Sequence, residues 1–140
     1  MDDGRLSQLA IAPSPDAAPF WEACRRHELS LPWCRRCERS FFYPRPLCPV
    51  CGTRDLEWRR ASGRGRLHAF CIQHRSAVPG LRDAVPFVTG IVELEEGPRL
   101  MSFVTGAGCD PAAIACDMEV EVTFVQAGEH VLPAFRPRTA

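Results

Sequence analysis

The 140-residue chain contains no lysine, so all 17 of its Lys+Arg cations are arginine. Catalysis through a lysine Schiff base is thereby excluded, and every cation is a planar guanidinium suited to gripping carboxylate or phosphate. An apolar run of 18 residues is also missing. The opening MDDGRLSQLAIAPSPD lacks the basic start and apolar stretch of a secretory leader. These absences point to a soluble, cytoplasmic protein that makes no use of a membrane. The formal net charge is zero but unevenly spread. Residues 25–66 carry eleven arginines against Glu28, Glu38, Asp55 and Glu57, whereas residues 67–140 carry five arginines against nine acids. A basic module is therefore followed by an acidic one.

The basic module holds the chemistry. In WCRRCERSFFYPRPLCPVCGTRDLEW, Cys34 and Cys37 form one Cys-x-x-Cys pair and Cys48 and Cys51 a second, ten residues on. Two tight turns of this kind present four thiolates to one tetrahedral ion. Zinc is the default cofactor. Iron accepts the same four thiolates, so the spacing names the ligands and leaves the metal open. A shell closed by four sulfurs has no position for water, which predicts a structural ion and not a catalytic one. The other four cysteines, Cys24, Cys71, Cys109 and Cys116, have no framework spacing and read as reduced thiols.

Taken in order, residues 1–16 are small, polar and interrupted by proline, and read as a flexible N-terminus. Residues 17–60 form an N-terminal helix and the cysteine ribbon. The helix is expected from Pro19 to about Glu28, with Phe20, Trp21 and Cys24 near one stripe and Arg25 and Arg26 beside it. Strands are expected at Ser40–Tyr43 and Asp55–Arg60. Glycine follows the second knuckle, as Gly52, but Glu38 holds the same place after the first, so that turn is expected to be less regular.

Residues 61–140 change to a period of two. Strands are expected at Arg66–His74, Pro86–Glu95 and Arg99–Thr105, then one helical turn at Asp110–Ile114, then strands at Met118–Val125 and His130–Phe135. Three strands, a short helix and two strands is the order of an OB-fold. The fold class is therefore mainly β: an N-terminal helix, a rubredoxin-like zinc ribbon, and a five-stranded OB-fold barrel.

Over about residues 19–138 the chain resembles the zinc-ribbon/OB-fold family called domain of unknown function 35. The resemblance is carried by Pro19-Phe20-Trp21-Glu22, by both knuckles, by Asp55-Leu56-Glu57-Trp58 and by Ser62-Gly63-Arg64-Gly65. It continues in Val92-Glu93-Leu94-Glu95-Glu96-Gly97-Pro98-Arg99-Leu100 and in Leu132-Pro133-Ala134-Phe135-Arg136-Pro137. Departures are Glu38, where the family usually has glycine, and Cys116-Asp117, where it often has a hydrophobic residue and glycine. The resemblance implies a non-catalytic accessory subunit of a thiolase-like, lipid-transfer-type or aldolase enzyme acting on acyl-CoA or on polyketide- or steroid-CoA substrates. The helix with Phe20, Trp21, Arg25 and Arg26 is the candidate partner surface, and Arg64 and Arg99 are candidate contacts to coenzyme A phosphates.

Outside the ribbon, His68, Cys71 and His74 are the only tempting nucleophile and base candidates. On a regular strand His68 and Cys71 point to opposite faces, and His68 and His74 lie about 20 Å apart, so no dyad is expected. Glu95 and Glu96 flank a turn, a poor arrangement for an acid pair. The alternative reading is a module for single-stranded nucleic acid. It would need stacking aromatics, and the first three barrel strands offer only Phe70, Phe87 and Phe103.

Overall fold

The computed structural model describes residues 3–139. Two short 3-10 helices (Asp3–Leu6 and Pro15–Ala17) and one α-helix, α1 (Ala18–Arg25), precede a three-stranded antiparallel sheet made of β1 (Ser30–Cys34), β2 (Arg39–Ser40) and β3 (Leu56–Arg60), in the order β2-β1-β3. There follow β4 (Arg64–Gln73), β5 (Phe87–Leu94), β6 (Arg99–Val104), β7 (Glu119–Ala127) and β8 (His130–Pro137), which close a barrel in the order β4-β5-β6-β8-β7. The closure is mixed: β6 meets β8 in parallel at Phe103–Ala134 and Val104–Phe135, and the other ladders are antiparallel.

The expected strands are present, with physical corrections in the first half of the chain. The helix expected to reach Glu28 stops at Arg25, because His27 turns to a φ of 57° and ends the helical run. Strand β1 was not expected, and it is central to the ribbon although it contains Pro32, a residue that argues against a central strand. It is tolerated because Leu29 and Arg35 bond towards the β3 side, through Ala61 N–H to Leu29 O and Arg35 N–H to Asp55 O, which turns the ring nitrogen of Pro32 towards β2. On the β2 side only the Pro32 carbonyl is used, accepting from Phe41 N–H. The strand expected at Ser40–Tyr43 shrinks to Arg39–Ser40, because the chain must swing away to reach the second knuckle.

The helical turn expected at Asp110–Ile114 is a single turn closed by Ala113 N–H to Asp110 O, with the Asp110 carboxylate accepting from Ala112 N–H. The stretch 1–16, read as flexible, contributes Leu6, which is fully buried among Leu81, Ala84, Phe87 and Val125 on the outer side of the barrel. Gly80 permits this approach, since a Cβ there would stand 2.5 Å from the Gln8 carbonyl oxygen.

The main core is continuous between ribbon and barrel. Phe20, Cys24, Leu29 and Leu31 pack in one cluster with Leu67, Val92, Val120 and Phe135. Burial pushes the Cys24 thiol up to about 12, so it stays protonated and behaves as a small apolar side chain.

The β5–β6 hairpin is closed by Gly97 N–H to Leu94 O, and Gly97 has a φ of 109° with open space around the point where a side chain would start. Gly97→Val should therefore act by backbone strain alone, lowering stability by about 1–2 kcal/mol. Thermal and urea unfolding check this, and an unchanged midpoint would contradict it.

Candidate metal centre and its surroundings

Each knuckle wraps its first cysteine with backbone amides. Cys37 N–H donates to Cys34 Sγ at 3.2 Å and Val50 N–H to Cys48 Sγ at 3.4 Å. The turns then close alike, with Glu38 N–H to Cys34 O at 2.8 Å and Gly52 N–H to Cys48 O at 2.9 Å. Both Glu38 and Gly52 have positive φ, 53° and 73°. The irregularity expected at Glu38 is thus absent: the glutamate accepts the left-handed conformation that glycine takes freely. Asp117, the other departure from the family pattern, does the same at 66°.

The four sulfurs converge, all within 4.8 Å of one another. Cys34 and Cys51 Sγ lie 3.7 Å apart, and Cys48 and Cys37 Sγ 3.9 Å. Sulfurs at ~2.3 Å from a tetrahedral ion stand about 3.8 Å apart, so these two separations match such an ion and the donor set fits it. All four bond positions would be filled by sulfur. Cys34 and Cys48 are buried, whereas Cys37 and Cys51 reach the surface.

With the knuckles folded, the thiols are unequal. Amide N–H donors, from Cys51 first and then Val50, pull Cys48 down to about 6. Sharing a proton with Cys51, followed by desolvation, pushes Cys37 up to about 12. A free thiol ionises near ~8.5, so below that pH a metal must displace protons from the cysteines that bind it. Metal affinity should therefore rise with pH, at least about tenfold per unit between pH ~6 and ~8, in competition titrations against a chelator. A flat profile would contradict this.

Around the centre, Arg35 bridges Asp55 at 2.8 Å and Glu57 at 3.2 Å, and Arg59 also bonds Glu57 while stacking 3.9 Å above the Trp33 ring. The contacts to Arg59 first and Arg35 second lower the Glu57 pKa. Exposed pairs of this kind hold little, which leaves the thiolate cluster as the ribbon's main organiser.

The remaining candidates are dispersed. Phe20 is only 2% exposed and packs against the rings of Trp21 and Phe42, so it belongs to the protein's own core and cannot serve as an open docking anchor. Trp21 is half-buried, and its indole N–H has no acceptor among the described residues. Arg25 is exposed, and Arg26 lies 3.8 Å from Glu28. Arg64 faces Glu95 at 3.4 Å, and Arg99 is held by Glu93 at 2.7 Å, which lowers the pKa of that glutamate. A phosphate reaching either arginine must compete with a carboxylate already in place.

His68 and Cys71 are both exposed on β4, contrary to the alternation expected of a regular strand. The register shifts between Leu67 and Ala69, which places His68 in a β-bulge and moves Cys71 to its side of the sheet. No hydrogen bond joins the two among the described residues, and His74 lies beyond the strand. Glu95 is taken by Arg64, and Glu96 accepts from Ser62 N–H. Phe87 is buried against Phe103, and Phe70 packs on the core, so these aromatics are used internally. No helix among the described residues is long and apolar enough to cross a membrane.

This geometry is shared with known proteins. Residues 21–57 match the family model described as ChsH2, rubredoxin-like zinc ribbon domain, and residues 58–125 match ChsH2, C-terminal OB-fold domain. A DUF35 domain-containing scaffold protein of Methanothermobacter thermautotrophicus is 37% identical, over 71% of this chain and 74% of its own length. The chain belongs to the DUF35 family. A chain of the Ltp2-ChsH2(DUF35) aldolase superposes with a TM-score of 0.79 and 32% identity, covering 91% of this DUF35 chain and 98% of that one. The 3-oxo-4,17-pregnadiene-20-carboxyl-CoA hydratase alpha subunit of Mycobacterium tuberculosis is 36% identical over 89% of this DUF35 chain. That match spans only 38% of the hydratase subunit.

Proposed function

We propose that this protein is a non-catalytic, zinc-binding OB-fold subunit that assembles with a hydratase, aldolase, lipid-transfer-type or thiolase-like enzyme acting on acyl-CoA. The observation that carries this reading is the likeness, end to end, to a chain of the Ltp2-ChsH2(DUF35) aldolase. The scaffold name of another relative agrees with it. The site chemistry supports the same reading. Four converging thiolates leave an ion no open position for substrate, and His68, Cys71 and His74 form no hydrogen-bonded dyad. Zinc is favoured by the family of the ribbon. The protein does its work in the cytoplasm, where acyl-CoA is made and consumed. Acyl-CoA is shared with the enzyme subunit, its phosphates reaching Arg64 and Arg99 only in competition with Glu95 and Glu93.

Affinity purification of the tagged protein from its native host, with mass spectrometry, tests the reading. A stoichiometric acyl-CoA enzyme chain of hydratase, aldolase or thiolase type is expected. Recovery of single-stranded nucleic acid in place of such a chain would overturn it.

A further inference from the structure

One face of the barrel breaks the usual rule that the outside of a sheet is polar. On the outer face of β5 and β6, Ile91 lies directly across from Met101 and Thr89 across from Phe103. Met101 is 74% exposed and Ile91 38%. By contrast, the outer face of β7 starts with Glu119 and Glu121, the latter paired with Arg136, and further on its apolar Val125 is covered by Leu6.

Three depressions adjoin along this face. A groove of about 340 Å³ runs between β6 and β8 and is walled by Trp21, Tyr43 and Met101. A shallower one of about 300 Å³ shares Thr89 and Met101 with it and continues over Ala69, Cys71 and Ile91. A third, of about 430 Å³, shares Phe42 and extends under the ribbon to Arg39, Val50 and Gly97. Among the described residues six large apolar side chains are exposed, and four of them, Tyr43, Val50, Ile91 and Met101, line these depressions. A concentration of this kind marks a contact surface, not scattered surface leakage.

Charge selects the occupant. Arg64, Arg66, Arg99 and Arg136 each have a glutamate within 3.8 Å. The exposed ribbon arginines Arg36, Arg39, Arg45 and Arg54 have no ion pair among the described residues. Glu96 shares the third depression with Arg39, but its carboxylate is turned to Ser62 N–H. The patch is thus apolar at its centre and carries at its ribbon end Arg39, a cation with no ion pair among the described residues. The opposite end of the patch, at Ala69, Cys71 and Gln73, has no carboxylate in its lining with which a second copy could answer Arg39. We infer that the outer face of β5 and β6, with the groove beside Trp21, is the docking surface for an apolar segment of the enzyme subunit flanked by a carboxylate that meets Arg39. This rests on the reading of the protein as an enzyme subunit, and moves the contact from the buried Phe20 to the exposed Met101.

The test uses the full-length protein and the enzyme chain that co-purifies with it. Binding is measured for wild type, for Met101→Glu and Ile91→Glu, for Arg39→Glu, and for Ala115→Glu as a control on another surface. Circular dichroism and metal content confirm that each variant is folded. Met101→Glu and Ile91→Glu should each weaken binding at least tenfold. Arg39→Glu should weaken it several-fold at low salt, with the difference shrinking as salt rises. Ala115→Glu should bind as wild type does. Wild-type complex formation with unaffected Met101→Glu and Ile91→Glu would overturn this surface while leaving the subunit reading intact. Failure of wild type to form a complex with any acyl-CoA enzyme chain would remove both. Concentration-dependent self-association abolished by Met101→Glu would assign the face to a second copy instead.

Discussion

Chelation of the metal should abolish the ordered ribbon. Apparent binding free energies for four-thiolate sites are on the order of 10 kcal/mol, and this exceeds what so small a sheet supplies by burial. The ribbon's own strands are short, with β2 only two residues long, and its surface ion pairs are weak. Without the ion, four sulfurs drawn within 4.8 Å of one another are left to a few amide donors such as Cys37 N–H and Val50 N–H. Loss should spread, because Leu29, just before β1, and Leu31, within it, share a core with the barrel residues Leu67 and Val120. Cys48→Ser should act similarly, since Cys48 is a buried ligand. Circular dichroism, amide exchange and elemental analysis across a chelator titration check the expectation. A metal-free preparation with full protection at Leu31 and Trp33 would contradict it.

Phe20→Ala should cost about 3–5 kcal/mol, the range for removing a buried aromatic ring. The ring is 2% exposed and joins α1 to both parts of the molecule, through Trp21 and Phe42 on one side and the common cluster on the other. Denaturant unfolding of the metal-loaded protein should show a single transition shifted to lower denaturant. An effect below ~1 kcal/mol would show that α1 is peripheral, as a free docking helix would be.

What can be read from the sequence divides along physical lines. Cys34, Cys37, Cys48 and Cys51 are legible because a Cys-x-x-Cys turn is local, and its geometry follows from a few residues whatever surrounds them. The barrel order is legible because turns such as Glu96-Gly97-Pro98 punctuate strands of period two. Strand β1 is hidden by Pro32, whose missing donor matters only on one side of the strand, a fact set by the neighbours. The bulge at His68 is equally hidden, since it arises from closing the barrel and leaves no mark in the local pattern. Leu6 stands in a polar stretch, and its burial depends on Leu81 and Val125 far along the chain. The stripe of α1 announces an apolar face without saying what it meets, and the structure seats it on the protein's own core. Met101 and Ile91 escape notice for the opposite reason: an exposed apolar residue and a buried one look the same in a strand.

The central claim is that the chain serves an acyl-CoA enzyme without performing the reaction. Reconstituting the enzyme subunit with and without this protein measures that directly, following yield, oligomeric state and turnover. The account predicts no turnover by this chain alone, and a loss of at least tenfold in activity or soluble yield when it is omitted. Equal yield, assembly and rate in both preparations, or acyl-CoA turnover by the isolated chain, would contradict it.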